Sequence, residues 1–201
     1  MISHMFTKIL PTAMFARLWA RYNELLVTRP LISKGLTGGI LFGGGDLLAQ
    51  KLDGTLDTKG YTPVRTARSF FWSAVCFTPI GHYWYVHVLN KYLPATTTKA
   101  VLTKVALDQL TFSPFINAAF LSYSALSHGQ GIEGVKSKCK SEYTNVLLAN
   151  WTVWPIVQMI NFKLVPVPLQ MPVMNMVVFF WSAYLATVSA RSHKKDHDVP
   201  Q

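Results

Sequence analysis

Long apolar stretches separated by short basic connectors dominate the chain. The stretches cover approximately residues 31–52, 69–90, 101–126, 143–162 and 164–190. At about 1.5 Å per residue, a helix of about 20 residues crosses a hydrocarbon core of about 30 Å. Helices satisfy their own backbone hydrogen bonds, which the interior of a bilayer requires. We therefore predict an all-α, multi-pass membrane helical bundle with about four transmembrane helices among about five inserted segments.

The amino-terminal segment, residues 1–28, has a different pattern. Its apolar residues recur at helical spacings, and it contains Lys8, Arg17 and Arg21 with no acidic residue before Glu24. A basic, acid-poor amphipathic helix is typical of a mitochondrial targeting segment. A retained helix lying on the membrane surface has the same pattern, and the two interpretations are compatible.

Two further polar segments complete the predicted organisation. The lysine-rich stretch around residues 133–142 predicts a short amphipathic helix on the membrane surface. Residues 191–201 form a basic polar tail, which leaves residues 29–190 as one membrane domain. Arg29-Pro30 marks the start of that domain, since proline suits the first turn of a helix.

Glycines at four-residue spacing mark the first apolar stretch. Gly35, Gly39 and Gly43 share one helical face and would allow another helix to approach closely. A phosphate-binding loop at Gly43-Gly44-Gly45 is the weaker alternative. No strand precedes these glycines, and no Gly-Lys-Ser/Thr follows them. We therefore assign the stripe to helix packing.

Polar side chains inside apolar stretches are the candidate functional residues, because an unpaired polar or charged group in lipid is costly. They either line a water-filled path or lock the bundle through hydrogen bonds. Basic residues near the ends of the stretches are candidate charge partners for the two aspartates. The pore-lining or bundle-locking candidates are Asp46, Asp108, Gln109, Trp154, Gln158 and Asn161, and the candidate partners are Arg65, Arg68 and Lys104.

Two local patterns carry further expectations. Trp154, Gln158 and Asn161 follow at four- and three-residue spacing, so they share a helical face that should point into the bundle. Pro79-Ile80-Gly81 is expected to kink or end its helix. The aromatic residues around Tyr83-Trp84-Tyr85 then predict an interfacial belt.

Composition and charge narrow the class of protein. Hydrophobic residues make up 50% and charged residues 14%, which excludes disorder and argues against a water-soluble monomer. The net charge of +10 is spread between the apolar runs, which favours membrane-flanking cations over nucleic-acid binding. We expect no cofactor, no metal site and no enzyme activity, and we expect Cys76 and Cys139 to be free thiols.

An ordered set of motifs runs from Arg29-Pro30 to Tyr184-Leu185. The elements are Gly45-Asp46, Ala49-Gln50, Arg65, Arg68, Gly81-His82-Tyr83-Trp84-Tyr85, Asp108-Gln109, Pro114, Trp151-Thr152-Val153-Trp154-Pro155, Gln158, Asn161-Phe162, Val165-Pro166, Asn175, Trp181 and Tyr184-Leu185. Each element alone is weak, but their order across most of the chain is specific. This ordered set resembles the Mpv17/PMP22 family of mitochondrial and peroxisomal membrane proteins.

The resemblance implies a bundle of about four spanning helices that contributes to a weakly selective channel for small solutes or ions. It also links the chain to mitochondrial metabolite and nucleotide homeostasis. A non-conducting scaffold or interaction subunit is the alternative. One position departs from the pattern: Gln170 stands where the family commonly has arginine, so a role that needs a guanidinium is in doubt.

The expected setting is the mitochondrial inner membrane, with the peroxisomal membrane as the alternative. The basic amphipathic start and the absence of a carboxyl-terminal Ser-Lys-Leu favour mitochondria. The expected partners are the lipid bilayer and small solutes or ions, with homo-oligomerisation left open and no nucleic acid. The solute, the gating stimulus and the orientation are not fixed by the sequence.

Overall fold

A computed structural model describes residues 12–197, with side chains from 14 to 183. Residues 1–11 of the predicted targeting segment and the side chains of the basic tail lie outside this description. The described residues are helical and include no strand. The helices are α1 (Thr12–Thr28), α2 (Pro30–Leu52), α3 (Thr55–Lys59), α4 (consecutive segments Pro63–Phe71, Trp72–Phe77, Thr78–His82, Tyr83–Leu89 and Asn90–Tyr92), α5 (Thr98–Leu107, Asp108–Phe112 and Ser113–Ser127), α6 (Gly131–Leu164) and α7 (Val167–His197).

The all-α bundle expected from the sequence is confirmed, while its predicted crossings of the bilayer are not. Within residues 12–197, none of the helices combines the length and the apolar character that a transmembrane crossing requires.

Helix α1 meets α2 at the boundary predicted from Arg29-Pro30. Pro30 begins α2, where its missing N–H costs no hydrogen bond. Ser33 donates its hydroxyl to the Leu25 carbonyl at 2.8 Å, and the Tyr22 and Thr37 hydroxyls lie 3.1 Å apart. These bonds join the end of α1 to the first turns of α2.

Helix α4 continues through the proline that was expected to kink or end it. Pro79 lies between two π-helical segments, Trp72–Phe77 and Tyr83–Leu89. A third π-helical segment, Asp108–Phe112, immediately precedes Ser113-Pro114 in α5. Proline removes one backbone hydrogen bond and crowds the preceding turn, and the wider π-helical turn accommodates this without ending the helix.

Helix α6 joins two segments that the sequence analysis separated. The predicted surface helix at 133–142 and the apolar stretch at 143–162 form one helix from Gly131 to Leu164. No glycine or proline lies between Gly134 and Pro155, so no helix breaker separates the two halves. The charged half and the apolar half are therefore two parts of one continuous helix, and the change in composition does not mark a helix boundary.

The predicted aromatic belt is divided between surface and core. Tyr83 is exposed, whereas Tyr85 is 1% exposed and packs against Phe112 and Phe162. Trp84 stacks on Phe112 with ring centroids 5.6 Å apart. Successive residues of a helix point in directions about 100° apart, so a run of adjacent aromatics is shared between faces.

The glycines of α2 bring this helix close to α4. A Cβ atom added at Gly35 would lie 2.9 Å from the backbone oxygen of Ala74, and one at Gly39 would lie 2.7 Å from the Phe70 ring. At Gly43 the nearest atom, Thr66 Cγ2, would be at an ordinary 3.5 Å. The close approach of the two backbones therefore depends on Gly35 and Gly39 more than on Gly43.

We predict that Gly35→Ala destabilises the fold although alanine is the better helix former. The added methyl group meets a backbone oxygen that can move only with the helix, and such overpacking costs about 1–3 kcal/mol. The matched control is Gly43→Ala, expected to be neutral or to stabilise by up to about 1 kcal/mol. Thermal unfolding in detergent measures both, and equal midpoints for the two variants would contradict the assignment.

Candidate functional site

A cavity of about 540 Å³ lies between the helices of the bundle. Its walls come from α2, α4, α5, α6 and α7. Helix α6 contributes a stripe at four-residue spacing, Val146, Asn150, Trp154 and Gln158, which extends about 18 Å along the helix axis. Cavities of about 300–1,000 Å³ are typical of small-molecule sites. The cavity is therefore the candidate functional site.

An ion-pair network lies on the cavity wall where α2 ends and α4 begins. The Arg65 Nε atom is 2.7 Å from Asp46 Oδ1, and its Nη1 atom is 2.9 Å from Asp53 Oδ2. Asp46 is buried, whereas 39% of the Arg65 side chain is exposed. One guanidinium thus pairs with a buried carboxylate and a second one, and Arg65 is the one of the three candidate partners that contacts Asp46.

Gln50 completes this network, although it was not among the candidate functional residues predicted from the sequence. Its Nε2 donates to Asp46 Oδ2 at 2.8 Å, while its Oε1 accepts the Thr62 backbone N–H at 2.9 Å. The Thr66 hydroxyl donates to the same Asp46 oxygen at 2.8 Å. A sequence signal existed, because Gln50 lies one helical turn after Asp46 and therefore shares its face.

Electrostatics favour the charged forms of this network. Burial opposes the ionisation of Asp53, but hydrogen bonds from Thr55 and Arg65 outweigh it and hold the pKa of Asp53 below its ordinary value. Burial likewise opposes the charge on Arg65, while Asp53 and Asp46 raise its pKa above the ordinary value. Both groups therefore remain charged at neutral pH.

A second polar cluster surrounds Asp108 on another part of the cavity wall. Trp84 Nε1 donates to Asp108 Oδ1 at 3.0 Å, and the Nε2 atoms of Gln109 and Gln158 each donate to Oδ2 at 2.9 Å. Asp108 is 2% exposed, and the ion pairs of the described residues do not include it. Its hydrogen-bond donors are therefore neutral N–H groups instead of a cation.

The amide face of α6 points into the bundle. Gln158 donates to the Tyr85 hydroxyl at 2.6 Å, and Asn161 donates to Gln158 Oε1 at 3.2 Å. Both amides are at most 2% exposed. Trp154 is half-buried and donates its indole N–H to Asn150 Oδ1 at 2.6 Å. The face therefore contacts α4 and α5.

The two remaining candidate charge partners lie elsewhere. Lys104 is buried, and its Nζ donates to Asn90 Oδ1 at 2.9 Å instead of reaching Asp108. Asn90 in turn donates to Gln170 Oε1 at 3.1 Å. At the position that departs from the family pattern, the neutral Gln170 thus accepts a hydrogen bond. The backbone oxygen of Arg68 accepts the Tyr123 hydroxyl, and the ion pairs found in the described part of the chain do not involve Arg68.

Sequence reasoning also missed a buried pair between α2 and α4. Lys34 Nζ lies 3.0 Å from His82 Nδ1, and Lys34 is only 2% exposed. Lys34 is an ionisable residue within an apolar stretch, which is the criterion that selected the aspartates. Across the described residues, no group of three or more His, Cys, Asp or Glu side chains could hold a metal ion.

The sequence is similar to known proteins over most of its length. A model of the Mpv17 / PMP22 family matches residues 124–186. Protein SYM1 of Debaryomyces hansenii is 37% identical over 191 residues, which cover 89% of this chain and 91% of that protein. The chain belongs to the Mpv17/PMP22 family.

Two further relatives support this membership across nearly the whole chain. Protein SYM1 of Saccharomyces cerevisiae is 34% identical over 87% of this chain and 91% of its own length. The mitochondrial inner membrane protein Mpv17 of Xenopus laevis is 32% identical over 88% of this chain and 99% of its own length. No solved structure matches the chain significantly.

Membership of the Mpv17/PMP22 family confirms the resemblance seen in the sequence. The relative named as a mitochondrial inner membrane protein supports the expected compartment. The chain is a membrane protein of the mitochondrial inner membrane. The family match at residues 124–186 includes the α6 stripe that lines the cavity.

We predict that Asp53→Asn makes stability less dependent on pH in acid. Because the pKa of Asp53 is lower in the folded than in the unfolded chain, its contribution is fully present above the ordinary value of about 3.9. That contribution is lost as the pH falls through the folded value. The variant should therefore be less stable at neutral pH, by on the order of 1 kcal/mol, and should approach the native protein below about pH 4.

Thermal unfolding midpoints between neutral pH and about pH 3 measure this difference. Asp57→Asn is the matched control, because Asp57 forms an exposed ion pair with Lys51 and should contribute little. A difference between Asp53→Asn and the native protein that stays constant to the lowest pH would contradict the prediction.

Proposed function

We propose that the bundle inserts in the mitochondrial inner membrane as a multi-pass protein and forms a weakly selective path for small solutes or ions. The observation that carries the proposal is the central cavity, whose walls come from five helices and carry charged and amide side chains. Polar groups within a membrane bundle are costly unless they are paired or hydrated, and a water-filled path hydrates them.

The outer surface supports contact with lipid. Helix α2 turns its close-packing glycines towards α4 and exposes large apolar side chains on the remaining surface. Ile32, Leu36 and Ile40 follow at four-residue spacing and are 61%, 53% and 66% exposed. Such a row would be unfavourable in water and favourable against acyl chains.

The chemistry of the cavity suits passage more than reaction. The Asp46, Arg65 and Asp108 side chains on its wall are engaged in ion pairs or hydrogen bonds. We therefore propose a non-enzymatic role. The mixture of carboxylate, guanidinium, amide and aromatic groups favours weak discrimination among small solutes over tight recognition of one.

A non-conducting scaffold is the second candidate, favoured by a different observation. Asp46, Gln50 and Gln158 all have hydrogen-bond partners within the bundle, as expected of groups that lock helices together. In that case the exposed apolar faces would bind partner subunits or further copies of this chain. Conductance separates the two candidates.

We expect the purified protein to conduct in planar bilayers and Ile116→Trp to lower the unit conductance severalfold. Ile116 lines the cavity, so a larger side chain there narrows the path. The matched control is Phe115→Trp, at the exposed neighbouring position of the same helix, which should leave the conductance unchanged. No current from folded native protein would favour the scaffold.

Gln158→Leu tests the amide face directly. If Gln158 lines the path, the variant should change conductance or ion preference while the protein remains folded. The same substitution also removes hydrogen bonds to Tyr85 and Asp108, with an expected cost of about 1–3 kcal/mol. Lower stability with an unaltered current would assign Gln158 to bundle locking alone.

A further inference from the structure

Asp108 carries the one carboxylate on the cavity wall that lacks a cationic partner among the described side chains. Asp46 and Asp53 share Arg65, whereas the Asp108 carboxylate accepts hydrogen bonds from Trp84, Gln109 and Gln158. Removing a carboxylate from water is costly, and neutral donors offset this only in part. The site therefore favours an occupant that supplies positive charge.

Gln109 provides a second observation. Its Nε2 donates to Asp108 Oδ2 at 2.9 Å, as expected beside a carboxylate, which accepts hydrogen bonds. Gln109 lines the cavity, and in this orientation its Oε1 is buried without a hydrogen-bond partner. A buried acceptor without a donor is unfavourable. An occupant that donates a hydrogen bond or presents a positively polarised group to this oxygen would offset that cost.

Aromatic rings provide the rest of the wall near Asp108. Phe112 lies one helical turn after Asp108, Trp154 one turn before Gln158, and the buried Tyr85 ring lies between Phe112 and Phe162. Aromatic faces attract organic ammonium groups and pack against their methyl groups. An inorganic cation instead needs several oxygen ligands, and the apolar rings provide none.

The geometry points to a binding site for a small organic monocation of the ammonium class beside Asp108. Asp108 supplies the opposite charge, Gln109 Oε1 supplies a second acceptor, and Tyr85, Phe112 and Trp154 enclose the apolar part. A cavity of about 540 Å³ accommodates a molecule of the size of choline. The site shares the cavity of the proposed path, but binding does not require conduction.

Isothermal titration of the full chain in a maltoside detergent tests this inference. Detergents and lipids with choline headgroups are omitted, because they would occupy the site. Choline should bind saturably with one site per chain. Its uncharged isostere 3,3-dimethylbutanol should bind at least about tenfold more weakly, since it keeps the shape and loses the charge. Equal binding of the two ligands, or no binding of choline, would overturn the proposal.

Two variants assign the charge to Asp108. Asp108→Asn should weaken choline binding at least about tenfold while binding of the isostere stays unchanged. Asp57→Asn removes the same charge from an exposed position and should leave both affinities as they are. If choline binds Asp108→Asn as tightly as it binds the native protein, the site does not depend on this carboxylate and the inference fails.

If Asp108→Asn does not fold, the comparison of choline with 3,3-dimethylbutanol on the native protein still tests whether the site requires a positive charge. Competition by potassium at matched ionic strength gives a further check. Displacement of choline by equal concentrations of potassium would show a general cation site and overturn the organic class. Isothermal titration measures binding and not current. Failure of choline to bind would therefore overturn this inference without deciding whether the protein conducts.

Discussion

The cost of burying polar side chains is the constraint on which this fold depends. Asp46, Asp108, Gln50 and Gln158 lie inside a helical bundle, where an unpaired polar group costs about 1–3 kcal/mol and an unpaired charge more. Each group is met by side chains from a neighbouring helix. Arg65 joins α4 to Asp46 of α2, and Gln158 joins α6 to Asp108 of α5. These polar contacts therefore link α2 to α4 and α5 to α6.

Close backbone packing makes the first of these contacts possible. Gly35 and Gly39 let α2 approach α4 until Ala74 and Phe70 fill the space where side chains would otherwise lie. The same approach brings the end of α2 beside the start of α4, within reach of the Arg65 guanidinium. Apolar packing and ion pairing are thus coupled, since a shift of α2 away from α4 would lengthen the contact between Arg65 and Asp46.

The cavity has two chemically different polar regions. Around Arg65, opposite charges meet and one of them is partly exposed to solvent. Around Asp108, a buried carboxylate is surrounded by neutral donors and aromatic rings. A small solute would therefore meet ion-paired side chains in one region and a carboxyl group bonded to neutral donors in the other. The similarity to the inner membrane protein Mpv17 places this arrangement in the mitochondrial inner membrane.

The sequence by itself determined the helical class, the glycine stripe and the identity of many of the buried polar residues. These follow from composition and from spacing along one helix, which are local properties. The tertiary structure decided how the helices meet. It joined two predicted segments into α6, turned Tyr85 inward, paired Lys34 with His82 and directed Lys104 to Asn90 instead of Asp108. Spacing within a helix fixes which residues share a face, but the partner of that face depends on the rotation and register of neighbouring helices. Only the packing of the helices sets this rotation and register, and the cavity between the helices results from them.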